Sequence, residues 1–155
     1  MLRYTKIDLE SNIDSCAKFR KDSYVASFPN SDDWKQYWNE DSYRNSLQKH
    51  AEQFPDGLWH VWLQGELIGQ LEFAYRDGHG HVNLFYLRPE FRGKGYSSNL
   101  HEHVLGILRS HDCQTATLRV TPQNIRARQY YEKHGWEDKG IDSHYDYVHL
   151  YSKDL

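Results

Sequence analysis

The stretch Arg88-Pro89-Glu90-Phe91-Arg92-Gly93-Lys94-Gly95-Tyr96-Ser97 has the residue types of an anion-binding turn. It falls between the end of an apolar strand pattern and the start of a helical one. Glycines at 93 and 95 let the backbone turn its N–H groups inward at a helix N-terminus, where free donors and the helix dipole favour negative charge. Such a loop cradles a pyrophosphate. It lacks the GxxxxGK[ST] spacing of a P-loop, and the third glycine and βαβ context of a dinucleotide fingerprint are missing too. A second segment, Asn124 to Trp136, carries adjacent tyrosines, Tyr130 and Tyr131, with Asn124 at its start and Gly135-Trp136 at its end. Adjacent helical residues point about 100° apart, so the two phenols cannot face one ligand equally. Candidate bases lie further upstream. Glu72 and Gln70 share one face of a strand, Leu71 and Phe73 the other, and His81 and Asn83 share a face of the next. Glu72 ranks first for taking a proton, His81 second, with a route through one water close behind.

The elements that must hold these residues read from periodicity. Leu2–Asp8 alternates as a short strand, and Ser11–Phe28 carries Ile13, Cys16, Ala17, Arg20 and Tyr24 at helical spacing, with Ser11 or Asn12 as the expected cap. After Pro29-Asn30-Ser31, a helical period runs from Asp32 to Phe54 through Trp34, Trp38, Leu47 and Ala51. Leu58–Leu63, Leu67–Tyr75 and His81–Leu87 read as an antiparallel meander with turns at Gln64-Gly65-Glu66 and Asp77–Gly80. Tyr96–Arg109 has one apolar face at Leu100, Val104, Ile107 and Leu108. Thr115–Val120 alternates, Asn124–His134 is a helix closed by Gly135, and Trp136–Gly140 and His144–Tyr151 read as closing strands. The order β-α-α-β-β-β-α-β-α-β-β predicts a mixed α/β chain, neither a bundle nor a uniform βαβ repeat.

Together the two motif segments resemble the signature of the GNAT superfamily, the acyl-CoA-dependent N-acyltransferases. Arg92 and Gly95 match the (Arg/Gln)-x-x-Gly-x-(Gly/Ala) pyrophosphate loop, with Ser97 standing where Gly or Ala is usual. Asn124, Ala127, Tyr130, Tyr131, Gly135 and Trp136 match the Asn-x-x-Ala-x-x-(Phe/Tyr)-Tyr-x-x-x-Gly-(Phe/Trp) helix. The motif-bearing region spans Val82 to Lys139. The resemblance implies a mostly antiparallel sheet of about seven strands with about four helices, in which the strands His81–Leu87 and Thr115–Val120 splay around the pantetheine arm of acetyl-CoA. It implies that backbone groups of Phe85, Tyr86 and Leu87 pair with that arm, with the Leu87 N–H as oxyanion donor. Arg92, Gly93, Lys94, Gly95, Tyr96 and Ser97 would hold the pyrophosphate, and Asn124 would orient the cofactor while capping its helix. Tyr131 takes the place of the general acid.

The activity so implied is transfer of an acetyl group to a primary amine within one domain, residues 1–155. The alternative is a non-catalytic acyl-CoA-binding sensor or scaffold of the same fold. The segment Asp32–Asp41 mixes acids and large aromatics, and the resemblance implies that it walls the acceptor site, approached through Trp34–Asp41, where carboxylates and cation–π contacts would select a small cationic amine. Which amine is used, the general base, the range of acyl groups, and monomer against homodimer are left open.

Composition sets the outer bounds. The chain has 155 residues, with 19 Lys+Arg against 22 Asp+Glu, a net charge of −3 that offers no footprint for nucleic acid. A mean hydropathy of −0.91, with no long apolar run, argues against a membrane span. Cys16 and Cys113 are the only cysteines, which fits a reducing cytoplasm better than a disulfide framework. The start of the chain has no apolar core of a secretory signal. Ten histidines are present, but no spacing among them, His79/His81 and His101/His103 included, predicts a metal site. Aromatics at 15% exclude disorder.

Overall fold

Strand β1 (Leu2–Lys6) pairs antiparallel with β2 (Leu58–Leu63), which continues through β3 (Glu66–Arg76) and β4 (His79–Leu87) as a meander. Both hairpin loops are two residues long. Gln64-Gly65 and Asp77-Gly78 have left-handed φ at both positions (50° and 82°; 52° and 77°), the backbone that matches strand twist in such loops. The chain then crosses through helix α3 (Tyr96–Ser110) to β5 (Thr115–Val120), parallel to β4, and returns through α4 (Ile125–Lys133), β6 (Glu137–Ile141) and β7 (His149–Asp154). Strand β7 inserts between β5 and β6, so the order is β1-β2-β3-β4-β5-β7-β6. The computed structural model describes all 155 residues, and the mixed, mostly antiparallel seven-stranded sheet with four α-helices is the architecture the sequence predicts.

Helices α1 (Leu9–Ser27) and α2 (Glu40–Gln53) cover one face of the sheet, α3 and α4 the other. Alternation decides which residues meet them. Leu71, Phe73 and Val82 join Leu100, Val104, Leu105 and Leu108 of α3 in the main core, with Tyr131 of α4 packed against it. On the opposite face Leu84 and Tyr86 meet Phe19 of α1, while Cys16 of α1, Leu47 of α2 and Leu58 form a second small cluster.

Three expectations need correction. Helix α1 begins earlier than Ser11, because Asp8 takes the cap: its carboxylate accepts the Glu10 N–H at 3.2 Å. The single helix expected over Asp32–Phe54 is two pieces, a 3₁₀ turn at Asp33–Gln36 and then α2. Asn39 is the reason, with extended backbone (φ −138°, ψ 107°) and a side chain that accepts the Ser42 N–H at 2.9 Å, a strong N-terminal stop. The last strand starts at His149, not His144. Asp142 accepts the backbone N–H groups of both His144 (2.9 Å) and Tyr145 (3.1 Å), which curls residues 142–148 into a loop.

Where β3 meets β4, Gly69 is required for a close approach: a Cβ there would lie 2.6 Å from the Tyr86 carbonyl oxygen. Gly69→Ala is therefore expected to destabilise the fold by about 1–3 kcal/mol, as overpacking does. Denaturant midpoints against wild type measure it.

Candidate active site

Strands β4 and β5 pair only from His79 to Val82, opposite Thr115 to Leu118. Beyond that point the β4 register against β3 shifts, leaving Asn83 as the extra residue of a bulge, and β5 diverges. The rest of β4 thus has a free edge. The Arg88 N–H donates to the Ile68 carbonyl on the β3 side at 2.8 Å. Because peptide groups alternate along a strand, Tyr86 also turns its N–H and C=O toward β3, whereas Phe85 and Leu87 turn theirs toward the gap. Arg92 Nε donates to the Leu87 carbonyl at 2.7 Å, leaving the Leu87 N–H. Of the run Phe85–Leu87, Tyr86 thus contributes no outward backbone pair. Its ring stacks on Phe19 instead (centroids 4.7 Å apart), with its hydroxyl donating to Asp22 at 2.9 Å.

The gap opens into a cleft of about 1420 Å³ that runs to the start of α3. Gly93 and Gly95 have φ of 74° and 87°, and α3 starts at Gly95 without a side-chain cap, so its first N–H groups are free. Arg92, Gly93, Gly95, Ser97 and Ser98 line the cleft there. Lys94 and Tyr96 are not among the lining residues: the Lys94 ammonium lies over Phe91, and Tyr96 packs against the core. Arg126 and Lys133 of α4 also line the cleft and give its mouth further positive charge that motif spacing alone does not reveal. Asn124 caps α4 by accepting the Ala127 N–H at 3.3 Å, which leaves its amide NH₂ for a ligand.

Both tyrosines of α4 border the cleft. Tyr130 stacks on His134 at 4.3 Å and its hydroxyl is buried. Tyr131 sits among Phe85, Trp136 and Tyr151. Burial, with a smaller contribution from Tyr130, raises its pKa above the ordinary phenol value, so it holds its proton across the neutral range.

A second cavity, about 350 Å³, lies under α1 and α2. Glu72 forms its floor and is 5% exposed. Its Oε2 accepts the Tyr43 hydroxyl (2.7 Å) and the Gln70 amide (2.8 Å), while Oε1 has no partner and opens to the cavity. Gln70 is fixed in turn, since its Oε1 is 2.9 Å from His60 Nε2, which must donate. His60 is neutral, its pKa lowered by burial. Burial and then the Glu72 charge raise the Tyr43 pKa, which makes that phenol a donor to Glu72 and not a competing base.

The second candidate base fares differently. Arg119 donates to His81 Nε2 (3.2 Å), so the neutral ring carries its proton on Nδ1 and donates to Thr117 (2.8 Å). Burial, followed by the Arg119 charge, pushes the His81 pKa down to about 4, and its one lone pair, on Nε2, is already taken by Arg119. The acids of the 32–41 segment are also displaced. Asp33 and Asp41 are exposed and Glu40 pairs with Arg44, so none lines the cavity. Instead, the break before Asn39 turns Tyr37 and Trp38 into its wall.

The loop after β6 closes the far side. Tyr147 stacks on Tyr37 (3.9 Å), which stacks on Phe28 (5.2 Å), and the buried Asp142 anchors the loop to Arg119 at 3.1 Å. Burial alone would raise the Asp142 pKa, but the His144 N–H, Arg119 and the Tyr145 N–H hold it below the usual carboxylate value. A carboxyl lowered in the folded state stabilises above its unfolded pKa near 4, and that contribution fades as pH falls through the folded value. Asp142→Asn is therefore expected to cost about 1–3 kcal/mol at pH 7. The gap from wild type should close below about pH 4, measured by chemical denaturation across pH.

Several solved structures share this arrangement over nearly their whole length. The N-acetyltransferase PaiA from Thermoplasma acidophilum, solved in complex with coenzyme A, superposes with a TM-score of 0.80 at 16% identity, covering 100% of this chain and 99% of that one. Ard1 from Thermoplasma volcanium gives 0.77 at 15%, covering 99% and 97%. A chimera of the spermidine N-acetyltransferase SpeG from Vibrio cholerae and hSSAT gives 0.72 at 18%, covering 99% and 95%. No curated protein sequence matches the chain. At these identities the likeness is one of fold, but the family model of the acetyltransferase (GNAT) family matches residues 14–136, most of the chain and all of both motifs. The splayed strands, the uncapped glycine turn and the tyrosine helix are thus those of a GNAT acetyltransferase, and the chain belongs to that family.

Proposed function

We propose that this protein moves an acetyl group from acetyl-CoA to a primary amine by direct attack within a ternary complex, as a single domain. The observation that carries the reading is that the two cavities adjoin: Arg20, Tyr24, Tyr37 and Asn83 line both. A donor site bordered by Tyr131 and an acceptor site floored by Glu72 thus meet at the bulge of β4.

The chain fits acetyl-CoA. Free N–H groups at the start of α3, with Arg92, Arg126 and the Ser97 hydroxyl, suit a pyrophosphate. Outward backbone groups at Phe85 and Leu87 suit the amides of a pantetheine arm, which would complete β4 as an added strand does. When bound, acetyl-CoA supplies an acyl thioester. Glu72, with Oε2 tied and Oε1 open, takes the proton of the incoming ammonium, directly or through one water. The Leu87 N–H points into the gap to donate to charge developing on the acyl oxygen. Tyr131, kept protonated by burial, gives its proton to the departing sulfur.

Two measurements test this. Gly95→Glu places a side chain and a negative charge at a left-handed position of the anion loop. It should weaken acetyl-CoA binding at least about tenfold by calorimetry, and unchanged affinity would remove the loop from the site. Tyr131→Phe keeps the ring and deletes the donor, so kcat should fall by about 10²–10⁴-fold with acetyl-CoA affinity retained. Tyr130→Phe should be mild. Release of CoA across a panel of amines is the assay, and full acetyl-CoA binding without release for any amine would leave a non-catalytic binding module instead.

A further inference from the structure

The acceptor cavity holds a charge that proton transfer does not use. Arg20, on the inward face of α1, is half-buried in its wall. Nη1 donates to the Asn83 carbonyl at the β4 bulge (2.6 Å), and the guanidinium lies over the Tyr24 ring, 5.4 Å from its centroid. Neither partner is an anion. The ion pairs of the chain engage Arg44, Arg88, Arg119 and Arg128, and Arg20 is in none of them. Among the lining residues Glu72 is the single carboxylate. The cavity therefore presents one fixed cation with neutral partners and one fixed anion with an open oxygen.

That pair discriminates among amines. A simple alkylamine brings its ammonium to Glu72 but leaves the guanidinium uncompensated in a partly desolvated wall, which is costly. A polyamine adds a second cation against Arg20. An amine that also bears a carboxylate satisfies both charges, and a guanidinium is the side chain best shaped to take a carboxylate in two parallel hydrogen bonds. Part of the remaining wall is aromatic, from Tyr24, Tyr37 and Trp38, and part is polar, from Asn39, Ser42, Ser46 and His50. At about 350 Å³ the space is at the small end of ligand pockets, which run ~300–1,000 Å³.

We propose that the acceptor is a free amino acid, its carboxylate on Arg20, its ammonium on Glu72 and its side chain against the aromatic wall. This rests on the acetyltransferase reading. In the reaction the ammonium yields one proton to Glu72, its nitrogen bonds to the acetyl carbon, the carbon–sulfur bond breaks as the sulfur takes the Tyr131 proton, and the second proton shed by the nitrogen restores the Tyr131 phenol, directly or through solvent. The products are an N-acetyl amino acid and the free thiol of CoA, with one net proton released.

The test compares the common amino acids with their carboxamides, which keep size and amine but lose the negative charge, and includes spermidine. Two readouts are taken: calorimetric affinity for the protein with CoA present, and kcat/KM by CoA release. Wild type should favour at least one amino acid over its carboxamide by about tenfold or more in both. Arg20→Gln should collapse that ratio toward one, and Arg20→Lys should restore part of it. Equal use of acids and amides, or preference for spermidine, would overturn the proposal. So would an Arg20→Gln variant that weakens acid and amide alike, since Arg20 would then serve the donor site or the fold. An Arg20-dependent preference in affinity without CoA release from any amine would keep an amino-acid site at Arg20 but overturn its role as an acceptor site, together with the acetyltransferase reading.

Discussion

The site depends on a break in strand pairing. A sheet is stable because nearly every backbone donor and acceptor inside it is matched, and a buried unmatched group costs about 1–3 kcal/mol. Here β4 gives up its β5 partner after Val82, with the extra residue Asn83 at the departure point. The exposed edge persists because neighbouring groups make up part of the loss. Arg92 reaches back to the Leu87 carbonyl, Arg20 takes the Asn83 carbonyl, and the Thr121 hydroxyl at the end of β5 bonds the Ser27 carbonyl at the end of α1. What those contacts leave open, chiefly N–H groups facing the gap, is matched by a ligand with amides of its own.

The same break sets the electrostatics. Overall charge is slightly negative, yet the cleft mouth gathers Arg92, Arg126 and Lys133 while the neighbouring cavity contains a single acid. Net charge was therefore a poor guide to the partner. It gave no sign of a local anion site built from helix ends. Compensation elsewhere is local as well: Arg88 is held by Glu66 and Glu90, and Arg44 by Asp14 and Glu40, so neither competes for a ligand.

Legibility tracked the range over which each feature is determined. Two-residue turns, the apolar face of α3 and the glycines before it are local, and the sequence pattern placed them within a residue or two. The cationic Arg126 was not legible as part of a site, because its role follows from how distant elements pack, whereas the wall residues Tyr37 and Trp38 lie in the segment expected to meet the acceptor. The acidic helix expected to meet the acceptor failed for a local reason that was present in the sequence. Asn39-Glu40-Asp41 is a capping residue followed by acids suited to a first turn, and reading it as a helix start would have put those acids in solvent. His81 failed for a reason no sequence pattern carries, since it is Arg119, 38 positions away, that occupies its acceptor nitrogen.

Glu72 is held by a chain of oriented groups, and the direction of each bond follows from the next. His60 can only donate to the Gln70 oxygen, so the Gln70 amide must donate to Glu72, and the Tyr43 phenol, whose proton is hard to remove, must donate as well. The hydrogen bonds from Gln70 and Tyr43 both end on Oε2, which fixes which oxygen remains open. A carboxylate on a flexible loop would not present one oxygen in a fixed direction. The polar pocket beneath α1 thus serves orientation more than stability, because apolar residues of similar volume could fill the same space at little cost to the fold. It gives the proposed acceptor a fixed anion beside the point where β4 has lost its neighbour.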